Sequence, residues 1–181
     1  MNMPAALDSA FDAAFWFADT ALNDNEYLQP QKLHRLLFLS QAYYAILNNR
    51  AKLMPATFIA SEMGPIEPNL YAAFSKGRPD IEVNLFMADG VEEFLDTIWR
   101  RFGHFSADRL TKMTKATEAY KAAVRKGKRA EITLDAMILA FSRAEDTPAA
   151  DQVFRPKVMR SQTGKPVTVK AWVPGKPKSA K

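Results

Sequence analysis

Hydrophobic residues recur at steps of three and four along most of the chain, a spacing that predicts amphipathic helices. The clearest examples are residues 7–24 and a longer stretch that begins at Pro30 and ends at Asn48. Pro30 suits the first turn of a helix because its fixed φ angle is already helical. Residues that can begin a helix precede five further stretches, at Pro68, Asp89, Ser106, Thr117 and Thr133. The pattern therefore predicts seven helices, with the second one central to the fold.

Two short stretches favour extended backbone instead of helix. Residues 57–59 are β-branched or aromatic, and they follow a proline that cannot lie inside a helix. Residues 81–87 are a second candidate extended segment. Asp89 and Glu92 then have the spacing of a capping box at the start of the fourth helix. The fold class expected from the whole pattern is mainly α, with about seven helices and a small β element.

The C-terminal part of the chain differs from the rest in charge and composition. Residues 155–181 contain eight Lys or Arg, four Pro and no Asp or Glu. The remainder carries 17 basic and 20 acidic side chains, a balance of −3, so this segment supplies the whole net charge of +5. We therefore predict a helical domain over residues 1–150 and a Pro- and Lys-rich basic tail over residues 151–181. Apolar and polar residues alternate from Val167 to Val173, which predicts a strand that becomes ordered when a partner offers a sheet edge.

The residue types that most enzymes use are sparse or scattered in this chain. There is no cysteine, which excludes disulfides, thiol catalysis and cysteine metal sites. The two histidines, His34 and His104, lie in no metal-binding motif, and surface or helix-capping roles are the favoured interpretation. We expect no catalytic activity, no cofactor and no metal. No apolar run approaches the roughly 18 residues of a membrane span, so we expect no membrane partner. The absence of cysteine suits a reducing cytoplasm, where we expect the protein to be located.

A group of five basic residues surrounds the predicted end of the sixth helix: Lys121, Arg125, Lys126, Lys128 and Arg129. Basic side chains at a helix C-terminus complement the helix dipole, so this cluster needs no ligand to explain it. Phosphate binding is the alternative, and the basic tail is a better electrostatic candidate for it. Since neither stretch contains a sequence-reading motif, any binding of nucleic acid is expected to be weak and sensitive to salt.

The stretch SEMGPIEPNLY joins the predicted strand to the third helix. Gly64 permits unusual backbone angles, and the residues before Pro65 and Pro68 are directed away from helix. These three residues predict a rigid corner. Tyr71 is expected to pack one turn into the helix, and Glu62 is the polar residue expected to have a further role at the corner.

Two motifs of the chain resemble those of the Panacea-domain antitoxin family. The first is KLHRLLFLSQ at residues 32–41, similar to a helix with an L-x-K-L-L-Y-F-x-Q-like core. The second is MGPIEPNLY at residues 63–71, similar to Y-G-P-V-x-P-x-V-Y. Residues 102–110 and 132–141 resemble later helices of the family, so the resemblance spans about residues 8–145. The chain departs from the family pattern at four places, where Gln, an aromatic residue, His and Trp are replaced by His34, Met63, Lys115 and Tyr120.

The resemblance implies a protein that binds its cognate protein toxin and neutralises it without chemistry of its own. The SocA-like branch of the family implies a proteolytic adaptor, which presents its toxin to the AAA+ protease ClpXP. Sequestration of the toxin alone and autoregulation through DNA binding by the basic tail are the alternatives. The residues expected to bind the partner lie on the exposed face of the second helix, at the corner and in the tail: Lys32, Arg35, Gln41, Glu62, Tyr71 and Trp172.

Overall fold

The described part of the chain comprises residues 3–83, 86–143, 147–154, 158–160 and 166–168, in a computed structural model. Its fold is mainly helical, with a small three-stranded sheet, as the sequence predicts. The elements in chain order are α1 (Ala10–Asn23), α2 (Pro30–Leu47), β1 (Phe58–Ser61), β2 (Gly64–Ile66), α3 (Pro68–Ala73), α4 (Asp89–Phe102), α5 (Ala107–Ala116), α6 (Glu118–Lys126), β3 (Glu131–Ile132), α7 (Leu134–Ser142), α8 (Ala150–Val153), β4 (Val158–Arg160) and β5 (Pro166–Thr168).

Helix α2 lies at the centre of the fold, and 13 of its 18 residues are buried. Five helices (α1, α4, α5, α7 and α8) and strand β2 all contact it. A helix enclosed in this way is apolar on more than one face, and Leu36, Leu37, Phe38 and Leu39 are all fully buried. The prediction of a central second helix is confirmed. Within the described ranges, no helix combines the length and the apolar character that crossing a membrane requires.

Strand β1 is the middle strand of an antiparallel sheet with the order β2-β1-β3. Ile59 of β1 lies opposite Ile66 on one side and Glu131 on the other. The extended segment predicted at residues 57–59 is therefore confirmed. The one predicted at residues 81–87 is wrong for its described residues, which form no strand because no neighbouring strand pairs with them.

Side-chain caps begin several helices where the sequence predicts them. The hydroxyl oxygens of Ser106, Thr117 and Thr133 accept hydrogen bonds from backbone N–H groups three residues later, at 3.1, 3.3 and 3.2 Å. The capping box predicted at Asp89 is wrong, because Ala88 holds the N-cap position and Asp89 is the first helical residue. Its carboxylate still lies in the first turn, where negative charge is favourable.

Packing of the helical body continues through α8, which the sequence pattern does not predict because four residues are too few to show helical periodicity. Val153 is buried, and the ring of Phe154 stacks on Phe94 with centroids 5.0 Å apart. The division of the chain after residue 150 stays a prediction.

Strands β4 and β5 form an antiparallel hairpin in which Met159 lies opposite Val167. The alternating stretch predicted to add to a partner's sheet therefore begins in a strand that already pairs with its own chain. The rest of that stretch, including Trp172, lies outside the described residues.

Candidate partner-binding surface at the strand-to-helix corner

A tight corner turns the chain from strand β2 into helix α3. Gly64 has a φ angle of +116°, in the region that favours glycine. Pro65 lies in strand β2, and Pro68 is the first residue of α3. The Glu67 carboxylate caps the helix by accepting a hydrogen bond from the Leu70 N–H at 2.7 Å. Gly64 and Pro65 thus lie in a second strand, and Pro68 begins the helix that follows it, while the rigidity predicted for this corner stays a prediction.

Arg35 of helix α2 holds this corner from the core and is only 1 % exposed. Its guanidinium donates to the Pro65 carbonyl at 2.8 Å and to the Met63 carbonyl. It also donates to the Thr111 hydroxyl of α5 at 3.1 Å. A Cβ atom added to Gly64 would lie 2.8 Å from the guanidinium carbon. Glycine is therefore required here by this close approach as well as by its backbone angle.

Two further polar residues of α2 fix loops in the same way. The Gln41 amide accepts a hydrogen bond from the Met54 N–H at 3.1 Å and donates one to the Met54 carbonyl at 2.9 Å. The Lys32 ammonium donates to the Gly103 carbonyl and forms an ion pair with Glu26. Each of these polar head groups is thus satisfied by a neighbouring loop.

The predicted exposure of Lys32, Arg35 and Gln41 is wrong. They are 6 %, 1 % and 1 % exposed, because the neighbouring elements enclose α2 on the side where a solvent-facing stripe was expected. A polar group buried in this way is stable only when it is hydrogen-bonded. The three residues therefore support the loops around the corner from inside the protein, and a role in contacting a partner stays untested.

Two apolar side chains project from the corner instead. Met63 and Tyr71 are 41 % and 45 % exposed, and we call this pair the ridge. Tyr71 is predicted to pack, but Leu70 is the buried residue of the short helix α3, so the packing predicted for Tyr71 is wrong. Met63 is missing from the predicted partner-binding residues. Met63 stands where the Panacea family has an aromatic residue, and this difference was the one sequence signal that could have identified Met63.

Side chains of helices α5 and α6 fix the loop that precedes the ridge. The Lys115 ammonium donates to the Glu62 carbonyl at 3.0 Å, and the Tyr120 hydroxyl donates to the Ser61 carbonyl at 2.5 Å. Burial raises the pKa of the Tyr120 hydroxyl, so it keeps the proton that it donates. The Glu62 side chain itself is exposed, and its predicted contact with a partner stays a prediction.

Two clefts flank the ridge and share three lining residues, Met63, Ile66 and Tyr71. The first, the His34 cleft, has a volume of about 490 Å³ and is lined in addition by Gln29, Pro30, Gln31, His34, Arg35, Phe74 and Ser75. The second, the Arg129 cleft, has a volume of about 560 Å³ and is lined in addition by Ala60, Ser61, Glu62, Tyr120, Val124, Gly127, Lys128 and Arg129.

His34 is 2 % exposed, so the predicted surface or capping role is wrong for it. Its Nδ1 atom accepts a hydrogen bond from the Glu67 backbone N–H at 3.2 Å, and its ring lies 6.1 Å from that of Tyr71. Burial, with a smaller effect of the nearby Arg35 cation, lowers the pKa of His34 to about 4. The imidazole is therefore neutral at neutral pH. His104 is exposed, as predicted.

The basic residues near the end of α6 divide between two roles. Arg125 and Lys126 lie in the last turn of the helix, where they complement its dipole, and Arg125 also pairs with Glu118. Lys128 and Arg129 follow the helix and line the Arg129 cleft. With these two cations and one carboxylate, Glu62, among its lining residues, the second cleft has a net positive rim.

The side chains assembled at the corner are apolar or engaged in hydrogen bonds. An apolar ridge on a hydrogen-bonded support separates a cleft with a neutral histidine from a cleft with a basic rim. No group of three or more His, Asp or Glu side chains within the described ranges has an arrangement that could hold a metal ion. No family model, curated protein or solved structure matches the chain.

Proposed function

We propose that the protein is the antitoxin of a toxin–antitoxin system, similar to Panacea-domain antitoxins, and that it binds its cognate toxin directly in the cytoplasm. The ridge carries the proposal, because Met63 and Tyr71 stay exposed at a corner whose backbone is held by buried side chains. Exposed apolar side chains beside clefts are typical of protein-binding sites. Tyrosine is especially suited, since it offers a large contact area at low conformational cost.

The residues that depart from the family pattern support a surface made for one particular partner. His34 lines the His34 cleft, and Met63 forms half of the ridge. Lys115 and Tyr120 fix the loop at residues 61–62. All four departures therefore surround the corner, which is where differences between related binding proteins would select different partners.

We further propose that the protein acts as an adaptor that delivers the bound toxin to ClpXP. The resemblance to SocA-like antitoxins and the eight basic residues of segment 155–181 support this step. Tethering raises the local concentration of a bound protein at the protease, so degradation accelerates without catalysis by the adaptor. Trp172 is the candidate aromatic anchor of this segment for the toxin or the protease.

Co-expression with the product of the adjacent reading frame tests direct binding. We expect that product to inhibit growth alone, to be neutralised by this protein and to co-purify with it. Failure of both neutralisation and co-purification would overturn the antitoxin function. Tyr71→Ser, on the ridge, should weaken this binding. Leu139→Ser, which changes an exposed leucine on helix α7, is the matched control and should leave it unchanged.

Toxin half-life tests the delivery step separately. We expect the toxin to be degraded faster when the antitoxin is present, and this acceleration to vanish in cells without ClpX. If the toxin is neutralised but its half-life does not change, sequestration is the mechanism and delivery to the protease is overturned. Retarded migration of promoter DNA by the pure protein, lost when the lysines of segment 155–181 are changed to glutamine, would support the autoregulator instead.

A further inference from the structure

The His34 cleft is lined by a largely buried histidine, one of whose ring nitrogens has no protein acceptor among the described residues. Because His34 Nδ1 accepts from the Glu67 N–H, the neutral ring carries its proton on Nε2. Among the described residues no atom accepts a hydrogen bond from Nε2. Since every fully buried side-chain nitrogen there has a partner, Nε2 is not fully buried. The Nε2–H group is therefore open to the cleft that His34 lines.

The same cleft reaches a buried cation without a carboxylate partner. Arg35 has five N–H donors, and three hydrogen bonds join it to the Met63 and Pro65 carbonyls and the Thr111 hydroxyl. Within the described part of the chain no carboxylate forms an ion pair with it. Neutral oxygen acceptors stabilise the guanidinium but leave its unit charge uncompensated.

The N-terminus of α2 adds a third positive feature to the rim of the cleft. Gln29, Pro30 and Gln31 line the cleft, and the N-cap Gln29 makes no side-chain hydrogen bond to the helix. An 18-residue helix carries partial positive charge at this end. No Asp or Glu is among the residues that line the cleft. The donor, the cation and the helix end all favour an anion.

We propose that the His34 cleft binds a carboxylate that a protein partner presents on an apolar residue. The carboxylate would accept from His34 Nε2 and face the Arg35 cation, while Ile66 and Phe74 contact the apolar part. One carboxylate matches the single uncompensated charge. A protein is the source because the cleft is continuous with the exposed ridge, so this inference rests on the proposed function.

N-acetyl-leucine and its neutral amide, N-acetyl-leucinamide, are matched probes for this site. In a titration of the full chain followed by NMR, we expect the acid to shift the His34 Nε2 resonance saturably, with affinity in the millimolar range, about what a ligand of this size reaches. The amide should bind at least about threefold more weakly, because it lacks the charge. Equal binding of the two probes, or no shift with either, would overturn the proposal.

Charge substitutions at Gln31 test the electrostatics without disturbing the core, because this side chain is exposed. Gln31→Glu should weaken binding of N-acetyl-leucine about three- to tenfold, and Gln31→Lys should strengthen it. Glutamate in the first turn favours the helix, so weaker binding in Gln31→Glu cannot be attributed to unfolding. Gln152→Glu, an exposed glutamine on α8, controls for net charge. An equal effect of the Gln31 and Gln152 substitutions would contradict the proposal.

The same variants separate this inference from the proposed function. The product of the adjacent reading frame should bind Gln31→Glu more weakly, and Gln31→Lys more tightly, than the wild-type chain. Unchanged affinity for both variants would overturn the carboxylate contact and leave the antitoxin function standing. If N-acetyl-leucine binds but no complex with that product forms, the antitoxin function and the assignment of the carboxylate to a protein partner are both overturned. The conclusion that the cleft binds a carboxylate is retained.

Discussion

Helix α2 and the corner reverse the usual distribution of polar and apolar side chains. On α2, the charged or polar residues Lys32, Arg35 and Gln41 are buried. At the corner, the apolar residues Met63 and Tyr71 are more than two-fifths exposed. The two regions are directly connected, because the Arg35 guanidinium donates to two carbonyl groups of the corner. The difference indicates that the buried polar residues of α2 support the corner from inside, whereas Met63 and Tyr71 form its exposed surface.

The reversal arises because loop backbone groups near the core need hydrogen-bond partners. Loops that pass near the core have backbone carbonyl and N–H groups that need partners. The buried head groups of Arg35 and Gln41 supply them, so the loop backbone is fixed from inside. A backbone fixed in this way does not need its own apolar side chains to pack inwards. Met63 and Tyr71 are then free to face solvent or a partner.

The strongest way to break this connection is to remove Arg35. Arg35→Met keeps much of the volume but leaves the Met63 and Pro65 carbonyls without their donor. Since a buried polar group without a partner costs about 1–3 kcal/mol, we expect the free energy of unfolding to fall by about 3 kcal/mol or more. Chemical denaturation measures it.

An exposed arginine is the control for this substitution. Arg101→Met on helix α4 should change stability by less than about 0.5 kcal/mol. Arg35→Lys should recover little of the stability lost in Arg35→Met, since an ammonium group cannot reproduce the planar contacts to three oxygens. Equal stability of the Arg35→Met and Arg101→Met variants would refute the supporting role of Arg35.

Acid should weaken the same support through His34. Its folded-state pKa of about 4 lies below the unfolded value of about 6.5, so the unfolded chain binds the proton more readily between these limits. The contribution of the neutral ring is therefore complete above pH 6.5 and is lost as the pH falls towards 4. The loss amounts to about 3 kcal/mol at most.

Stability curves of the wild-type protein and His34→Gln between pH 7 and 4 measure this contribution. Glutamine retains an acceptor for the Glu67 N–H but does not titrate. We expect the two curves to converge as the pH falls, because only the wild type loses the contribution of its histidine. Curves that stay parallel over this range would contradict the burial of a neutral imidazole.

The fold was largely predictable from sequence because it depends on local signals. The hydrophobic period marks α2 and α4, and hydroxyl side chains mark the starts of α5, α6 and α7. The four-residue helix α8 lies below the length at which such a period is visible. The corner was recognisable because Gly64, Pro65 and Pro68 restrict the backbone locally.

The candidate site was less predictable because exposure depends on the tertiary arrangement. A lysine, an arginine and a glutamine on a helix are usually solvent-facing, and only the elements around α2 reverse that expectation. The acceptors of Arg35 are 28, 30 and 76 residues away in the chain. No local pattern reports such contacts. The same limit applies to the His34 cleft, whose lining comes from α2, the corner and α3.

Adding a methyl group to Gly64 should weaken the support by a smaller amount. Gly64→Ala imposes a side chain at a φ of +116° and brings its Cβ atom within 2.8 Å of the Arg35 guanidinium. We expect a loss of about 1–3 kcal/mol. Gly77 is a matched control, because it also has a positive φ, +101°, but a Cβ atom added there would meet no other atom within 4 Å. Gly77→Ala should cost less in thermal denaturation, and an equal cost would remove the Arg35 contact from the explanation.

Substitution of the ridge should have the smallest effect on stability and a large effect on binding. Met63→Ser and Tyr71→Ser remove exposed apolar groups, so each should change the free energy of unfolding by less than about 1 kcal/mol. If the ridge anchors the partner, each should weaken its binding by about 2 kcal/mol, roughly thirtyfold. Leu139→Ser removes an exposed apolar group on α7 and should leave binding unchanged.

This last pair of measurements decides how the two regions divide their roles. Arg35→Met is expected to lose stability and binding together, because the ridge depends on the fixed corner. Met63→Ser and Tyr71→Ser are expected to lose binding alone. Wild-type affinity in both ridge variants would place the partner elsewhere, and the exposed apolar corner would then be a consequence of the short helix α3. A loss of stability as large as that of Arg35→Met would instead show that the ridge belongs to the support.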